Sequence, residues 1–288
     1  EQLEMINGAI ISIVMPVYNG SNLIEETIDS IIAQSYTNWE LIIVNDKSTD
    51  DTVEIVNSYI IKDNRIKLID LKLNYGGPAK PRNIGIENSN GSFVALIDAD
   101  DIWHKDKLSE CSKYFDSDII YHKERWFNEN IDDGKLCPIR NIVKIENPHK
   151  DMLINGNIFS PSAIMVKKDI LLNNKFNETI EYHGVEDFDL WLRLTKQNKF
   201  TYKFIDEVLG FYRLHDGGIS KNFKKHGQKE RVLIRDHFLE FSLFSSPHMF
   251  LIKYKKLFRS LLVNIFRTIQ YKQKLDILFY IKEFFKCF

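Results

Sequence analysis

The chain has 288 residues, of which 44% are hydrophobic and 27% are charged, and its formal net charge is −1. This composition is ordinary for a globular protein, and the near-zero charge gives no overall attraction to nucleic acid. Three scattered cysteines without metal-ligand spacing argue against a disulfide framework and favour a reducing compartment. No secretory signal is visible and no apolar run reaches the length of a bilayer, so we expect a cytoplasmic protein.

The amino-terminal part alternates between predicted strands and predicted helices. Apolar runs rich in β-branched residues predict strands at 10–15 and 41–44, and a third strand follows at 66–71. Apolar residues at helical spacing predict helices over 23–32 and 53–59. Alternating elements of this length predict an α/β fold with a parallel, doubly wound sheet and right-handed crossovers.

An acidic cluster follows the most apolar of the predicted strands. The run 93–97 has no polar break, and Asp98, Asp100 and Asp101 come directly after it. Ligands of open α/β sheets bind at the carboxyl ends of the strands. Asp98 and Asp100 would point the same way in an extended chain, and their repulsion is tolerable beside a divalent cation. The pattern therefore predicts a metal site, with an acidic cap of a helix over 103–115 as the alternative.

A loop rich in glycine and proline, 74–83, leads into a short predicted helix at 82–88. Backbone amides at such a helix start, with Lys80 and Arg82 nearby, would suit phosphate groups. A plain turn is the alternative, and the loop alone favours it.

The second half carries fewer regular patterns. Strands are predicted at 118–122 and 163–166, and extended structure at 200–211, whereas 123–150 has no clear period. A helix that begins near Asp187 would place this carboxylate at its amino end, where the helix dipole favours the ionised form. A purely structural first-turn acid is an equal alternative. The segment 212–220 combines a basic residue, His215, a glycine turn and a serine, which indicates a ligand loop.

Six sequence blocks resemble those of the family 2 glycosyltransferases, in their order and separation. They are 14–19, 44–50, 81–85, 96–101, 186–191 and 212–215. The resemblance implies an A-type glycosyltransferase fold, in which a Rossmann-like, mostly parallel nucleotide-binding sheet is flanked by helices; we expect a helical C-terminal extension. The second block departs from the pattern, because Asn45-Asp46-Lys47 stands where family members often have Asp-Asp-Gly.

The resemblance also implies roles for individual residues. Asp46 would accept a hydrogen bond from uracil, Asp98 and Asp100 would hold Mn²⁺ or Mg²⁺ in a DXD motif, and His215 is a weaker metal ligand. Asp187 would be the general base of an inverting transfer, with Glu186 and Trp191 on the acceptor side. The donor-binding residues would be Pro16, Val17, Tyr18, Asn19, Asp46, Arg82, Asp98, Ala99 and Asp100.

Two regions are expected. Residues 1–222 would form the catalytic domain, with a nucleotide-sugar half at about 1–122 and an acceptor half at about 123–222. Residues 223–288 would form a basic amphipathic helical region, since nine basic and two acidic residues follow position 247. Such helices can lie on an anionic membrane surface, which would place the protein at the inner face of the cell membrane. Packing against the catalytic domain or a partner is the alternative.

The leading hypothesis is a metal-dependent glycosyltransferase that moves a sugar from a UDP-sugar to a hydroxyl of a lipid-linked saccharide, for O-antigen or capsule. One alternative is a sugar-nucleotide nucleotidyltransferase, but the loop 16–20 lacks the expected Gly-rich basic signature. Another is a catalytically inactive saccharide- or membrane-binding module of the same fold. Nucleic acid is not an expected partner, because no recognition motif accompanies the basic tail. The sequence does not decide whether a homo-oligomer forms.

Overall fold

The computed structural model describes residues 8–127 and 148–214, together with residues 229, 233, 236, 237, 251 and 262. Within these residues eight strands form one sheet that is flanked by helices. The strands are β1 (Ile11–Val17), β2 (Trp39–Asn45), β3 (Ile66–Asp70), β4 (Phe93–Leu96), β5 (Ile102–Trp103), β6 (Ile119–Phe127), β7 (Ile164–Lys167) and β8 (Tyr202–Arg213). The helices are α1 (Ile24–Ile32), α2 (Thr52–Ile60), α3 (Ala79–Glu87), α4 (Lys107–Ser112), α5 (Pro148–Asn155), α6 (Lys168–Asn173) and α7 (Glu186–Lys196).

The sheet has the strand order β3-β2-β1-β4-β7-β6-β8-β5. The first four strands are parallel, which confirms the predicted α/β fold of the amino-terminal part. Strand β7 runs antiparallel to both β4 and β6, and it joins this parallel half to the second half of the sheet. Strands β6 and β8 are parallel, and β5 pairs antiparallel with β8 at the edge. The complete sheet is therefore mixed.

The central strands are buried on both faces, which explains why their sequences contain apolar runs of four or more residues. All seven residues of β1 and all seven of β2 are buried. Successive residues of β1 face opposite sides, so Ile13 packs into one core cluster and Val14 into the other. Helices on both sides cover these two clusters, and the carboxyl ends of β1, β2 and β4 are left at one edge for polar loops.

One predicted helix is present but shorter than expected. The sequence pattern indicated a helix over 103–115, whereas the helix spans Lys107–Ser112 and Trp103 belongs to strand β5 (Ile102–Trp103). Trp103 pairs with Gly210 of β8, and its indole donates a hydrogen bond to the carbonyl of Ser162 (2.9 Å). Pairing with a distant strand has overridden the local helical pattern.

Three described residues of the C-terminal region, Leu233, Asp236 and His237, pack against the part of the chain that precedes it, whereas Leu251 and Leu262 are exposed. Leu233 is only 1% exposed and belongs to a core cluster, while Asp236 accepts a hydrogen bond from the hydroxyl of Tyr182 (2.7 Å). A ring nitrogen of His237 lies 2.9 Å from a carboxylate oxygen of Asp189 in α7. Most of the basic tail lies outside the described residues, so its membrane contact stays a prediction. Among the helices that the structure does describe, none has the length and apolar character needed to cross a bilayer.

Candidate active site

The loops that follow β1 and β2 are fastened together by hydrogen bonds. The amide of Asn19 donates to Oγ of Ser48 (2.9 Å), and Oδ1 of Asn19 accepts from the amide of Thr49 (2.8 Å). The amide of Gly20 donates to Oγ1 of Thr52 (2.9 Å). Asn19 has a positive φ of 51°, a conformation that asparagine tolerates better than most residues. Pro16 and Val17 are buried beneath these loops, whereas the side chain of Tyr18, 53% exposed, faces solvent.

Asp46, at the end of β2, holds the Gly-rich loop. Its two carboxylate oxygens accept hydrogen bonds from the amides of Tyr75 (2.9 Å) and Gly76 (3.2 Å), and its carbonyl accepts one from the side chain of Asn74 (2.7 Å). Burial raises the pKa of Asp46, and the two amides and His183 offset part of this rise. Each carboxylate oxygen has a second lone pair, so Asp46 can still accept a hydrogen bond from a ligand.

Asn45, the departure from the family pattern, has a structural role. Its side-chain nitrogen donates to Asp70 of β3 (2.7 Å), and its side-chain oxygen accepts hydrogen bonds from the amide (3.1 Å) and hydroxyl (2.5 Å) of Ser48. Lys47 has a φ of 59°, where the common family glycine would be relaxed and a lysine costs about 1–2 kcal/mol. The hydrogen bonds of Asn45 therefore hold a turn in which Lys47 adopts an unfavourable left-handed conformation.

Arg82 connects the donor side of the candidate site to the start of α7. It is 2% exposed, and its guanidinium donates to Asp98 (2.6 Å) and to Glu186 (2.7 Å) and lies 5.3 Å from the ring centre of Phe176. Burial alone would lower the pKa of Arg82, but the two carboxylates raise it above its ordinary value. The arginine is thus a permanent cation between two carboxylates that lie on distant parts of the chain.

Asp187 is the carboxylate beside this bridge. The side-chain amide of Asn157 donates to its Oδ2 (2.8 Å). Burial, and then the charge of Glu186, raise the pKa of Asp187 to about 7, although Arg82 opposes the shift. Glu186 is itself buried and is held by Arg82 and by the amide of Gly184 (2.6 Å). The arrangement leaves Asp187 as a group that can exchange a proton near neutral pH.

The loop Asp98–Asp101 is supported by residues that the sequence did not single out as site residues. Ser162, which is fully buried, accepts a hydrogen bond from the amide of Asp98 (3.0 Å) and donates one to the carboxylate of Asp101 (2.5 Å). Its carbonyl accepts hydrogen bonds from the Trp103 indole (2.9 Å) and from the buried ammonium of Lys107 (3.1 Å). The carboxylate of Asp101 is therefore buried and has the structural role of holding this loop.

Arg213 supports the same loop from strand β8. Its amide donates to the carboxylate of Asp101 (2.9 Å), its Nε donates to the carbonyl of Asp100 (2.8 Å), and its guanidinium pairs with Glu26. The guanidinium also lies 4.5 Å from the ring centre of Phe127. The only sequence signal for this role was the position of Arg213 inside the last of the six blocks.

Asp98 and Asp100 have the chemistry that Mn²⁺ or Mg²⁺ requires. Both side chains are partly exposed on the loop after β4, and carboxylate oxygens are the ligands that these hard cations prefer. Among the described residues no three His, Cys, Asp or Glu side chains are grouped to hold an ion by themselves. One or two carboxylates suffice when phosphate oxygens complete the coordination, so the residues present fit such a cation. His215, the weaker predicted ligand, lies outside the described residues.

The remaining predicted residues lie at or below this site. The carbonyl of Ala99 accepts a hydrogen bond from the hydroxyl of Thr27 in α1 (3.0 Å). Trp191 is 1% exposed, and its ring packs edge-on against Phe159 and Phe176, both at 6.1 Å between centres. Trp191 belongs to the core, so it would affect an acceptor through the position of α7 and not through contact.

The chain resembles known glycosyltransferases in sequence. The family model "Glycosyl transferase family 2" matches residues 12–171. The UDP-Glc:alpha-D-GlcNAc-diphosphoundecaprenol beta-1,3-glucosyltransferase WfgD of Escherichia coli is 30% identical over 230 residues, which cover 79% of this chain and 86% of WfgD.

Two solved structures share the fold. TarS of S. aureus in complex with UDP-GlcNAc superposes with a TM-score of 0.69 at 23% identity, covering 96% of this chain and 81% of that chain. The mannosyltransferase PcManGT of Pyrobaculum calidifontis, in complex with GDP-Man and Mn²⁺, superposes with a TM-score of 0.63 at 18% identity, covering 89% and 71%. Because the family model matches more than half of the sequence, and the fold agrees with it, the chain belongs to glycosyl transferase family 2 and is a glycosyltransferase.

Proposed function

We propose that this glycosyltransferase moves a sugar from a UDP-sugar to a hydroxyl of a lipid-linked saccharide, with inversion, during assembly of a bacterial surface polysaccharide. The Arg82 bridge carries the proposal, because one buried guanidinium joins Asp98 of the DXD motif to Glu186, the neighbour of Asp187. A donor-side carboxylate and a candidate base are thereby held at one site. The donor and acceptor in the name of WfgD, and the UDP-GlcNAc bound to TarS, support the choice of ligands.

The reaction needs a group that removes a proton from the acceptor hydroxyl. Asp187 accepts this proton as the hydroxyl oxygen forms a bond to the anomeric carbon of the donor sugar. The bond between that carbon and the phosphate oxygen breaks, and UDP leaves with the electron pair. Attack from the face opposite the leaving group inverts the anomeric configuration, through an oxocarbenium-like transition state. Asn157 orients the carboxylate of Asp187 for this role.

The donor is proposed to bind to the loops that follow strands β1, β2 and β4. Asp46 would accept a hydrogen bond from the uracil ring N–H, and the loops that contain Pro16, Val17, Tyr18 and Asn19 would line the base pocket. Asp98 and Asp100 would hold Mn²⁺ or Mg²⁺, which supplies charge neutralisation for the departing diphosphate. Arg82 acts as a positioning residue in this scheme, since both of its terminal nitrogens are already paired with carboxylates.

The pH dependence of transfer tests the assignment of Asp187. Because its pKa is raised to about 7, the carboxylate is protonated and inactive as a base below that pH. We expect kcat/KM to rise about tenfold per pH unit on the acid side and to level off above about pH 7. Asn157→Ala removes a hydrogen-bond donor that favours the ionised form of Asp187. The pKa of Asp187 should therefore rise, and the acid side of the kcat/KM profile should move to higher pH. A profile that is flat between pH 5 and 8 would contradict the base role.

Calorimetric titration with UDP and GDP, each with and without MnCl₂, tests the proposed donor. We expect Mn²⁺-dependent binding of UDP and a loss of about tenfold or more in Asp100→Asn, because one ligand of the cation is removed. Asp116→Asn is the matched control, since this carboxylate is exposed and lies beyond the end of α4. Absence of binding by either nucleotide to folded protein would overturn the proposal and favour an inactive module of the same fold.

A further inference from the structure

His183 lies directly against the Gly-rich loop. A methyl group built on Gly77 would be 3.0 Å from Cγ and 3.1 Å from Nδ1 of the His183 ring, and one built on Gly76 would be 3.8 Å from Cε1. The imidazole therefore lies beside Gly76 and Gly77 and takes up the space that a side chain at position 77 would need. Gly77 does not have a positive φ, whereas Gly76 has a φ of 76°. A side chain at position 77 would thus crowd the His183 ring, and the ring or the loop would have to shift.

The same loop is also bound by Asp46. The amides of Tyr75 and Gly76 donate to the Asp46 carboxylate, and Asn74 donates to its carbonyl. The loop therefore contacts a carboxylate of the donor half and an imidazole of the acceptor half. His183 lies three residues before Glu186, and the hydrogen bond from Gly184 to Glu186 fixes the chain between them (2.6 Å).

We propose that His183 is a positioning residue for donor binding: its ring clamps the loop Asn74–Gly77 onto Asp46, and so couples the nucleobase pocket to the amino end of α7. The inference rests on the proposed function for the identity of the donor, but the clamp itself does not depend on it. Such a clamp lowers the cost of ordering the loop when the nucleotide binds. The clamp also links the conformation of the loop to that of the segment 183–187, which contains Glu186 and Asp187.

Hydrogen exchange measured by mass spectrometry tests the clamp without any ligand. We expect faster exchange of the Tyr75 and Gly76 amides in His183→Ala and in Gly77→Ala, with no change in strand β2. The double variant should exchange no faster than His183→Ala alone, because the methyl group added at position 77 meets no ring once the imidazole is gone. Gly76→Ala is the matched control, since its positive φ strains any side chain and His183→Ala should not relieve it. Unchanged exchange in His183→Ala, or strictly additive effects of the two substitutions, would overturn the clamp.

Titration with UDP and MnCl₂ connects the clamp to the donor. We expect His183→Ala to weaken UDP binding by about three- to tenfold, and His183→Phe, which keeps an aromatic ring at this position, to restore most of the affinity. If Asp46→Asn weakens UDP binding and His183→Ala does not, the coupling is wrong and the proposed function stands. If the wild-type protein binds no nucleotide, the proposed function fails and the donor role of His183 fails with it, while the exchange data still decide the clamp.

Discussion

Replacement of Asp187 by asparagine is expected to lower kcat by about 10²–10⁴-fold, the range that a general base contributes. The substitution keeps the shape of the side chain, and Asn157 can still donate to the new amide oxygen, so the local structure should persist. The amide cannot accept a proton at neutral pH. Single-turnover transfer from the donor to a saccharide acceptor measures the effect, and calorimetry with UDP and MnCl₂ should show an unchanged Kd.

Glu181→Gln is the control for this experiment, because Glu181 is an exposed carboxylate a few residues before α7. It removes the same charge from the same region without touching the site, and its activity should match the wild type. Loss of UDP binding in Asp187→Asn would move the residue from the base role to the donor site. Full activity in Asp187→Asn would remove it from the mechanism.

Replacement of Arg82 by methionine is expected to lower the free energy of unfolding by about 3–5 kcal/mol. The guanidinium is 2% exposed, and its loss leaves Glu186 buried without its partner and Asp98 without its ion pair. Breaking one partner of a buried ion pair is costly for this reason, even where the intact pair contributes little net stability. Urea denaturation followed by tryptophan fluorescence measures the change.

Lys175→Met provides the comparison, because the ion pair between Lys175 and Glu87 is largely exposed on both sides. Its loss should change the stability by less than about 1 kcal/mol. Adding Glu186→Gln to Arg82→Met should recover part of the lost stability, since the unpaired charge is removed. An Arg82→Met variant as stable as Lys175→Met would show that the bridge has no structural role.

Strands β1, β2 and β4 were predictable because they are buried on both faces. Each contains a run of at least four apolar residues, and Asp46 and Asp98 follow the apolar runs of β2 and β4, where ligand sites of such sheets lie. The same periodicity failed at Trp103, because β5 exists only through its pairing with β8, about a hundred residues later in the chain. Local pattern carries no information about such a partner.

The relations between the site residues were not predictable from the sequence. Arg82 was predicted to be a donor-binding residue, but nothing in the sequence indicated its pairs with Asp98, 16 positions away, and with Glu186, 104 positions away. For the Gly-rich loop a plain turn was favoured over a phosphate loop, and neither interpretation indicated that its amides bind Asp46 or that His183 lies against it. A buried charged side chain or backbone amide needs a partner, but the sequence alone does not show which residue the fold places beside it.

The buried carboxylate of Asp101 limits how the two halves of the chain can be exchanged between members of the family. Its two supports, Ser162 and Arg213, both come from the second half of the chain. A chimera joined near residue 122, with the first half of one relative and the second half of another, would keep Asp98 and Asp100 but would combine their loop with Ser162 and Arg213 of the other relative. Such chimeras should therefore take Asp101, Ser162 and Arg213 from the same relative, even though these residues are distant in sequence.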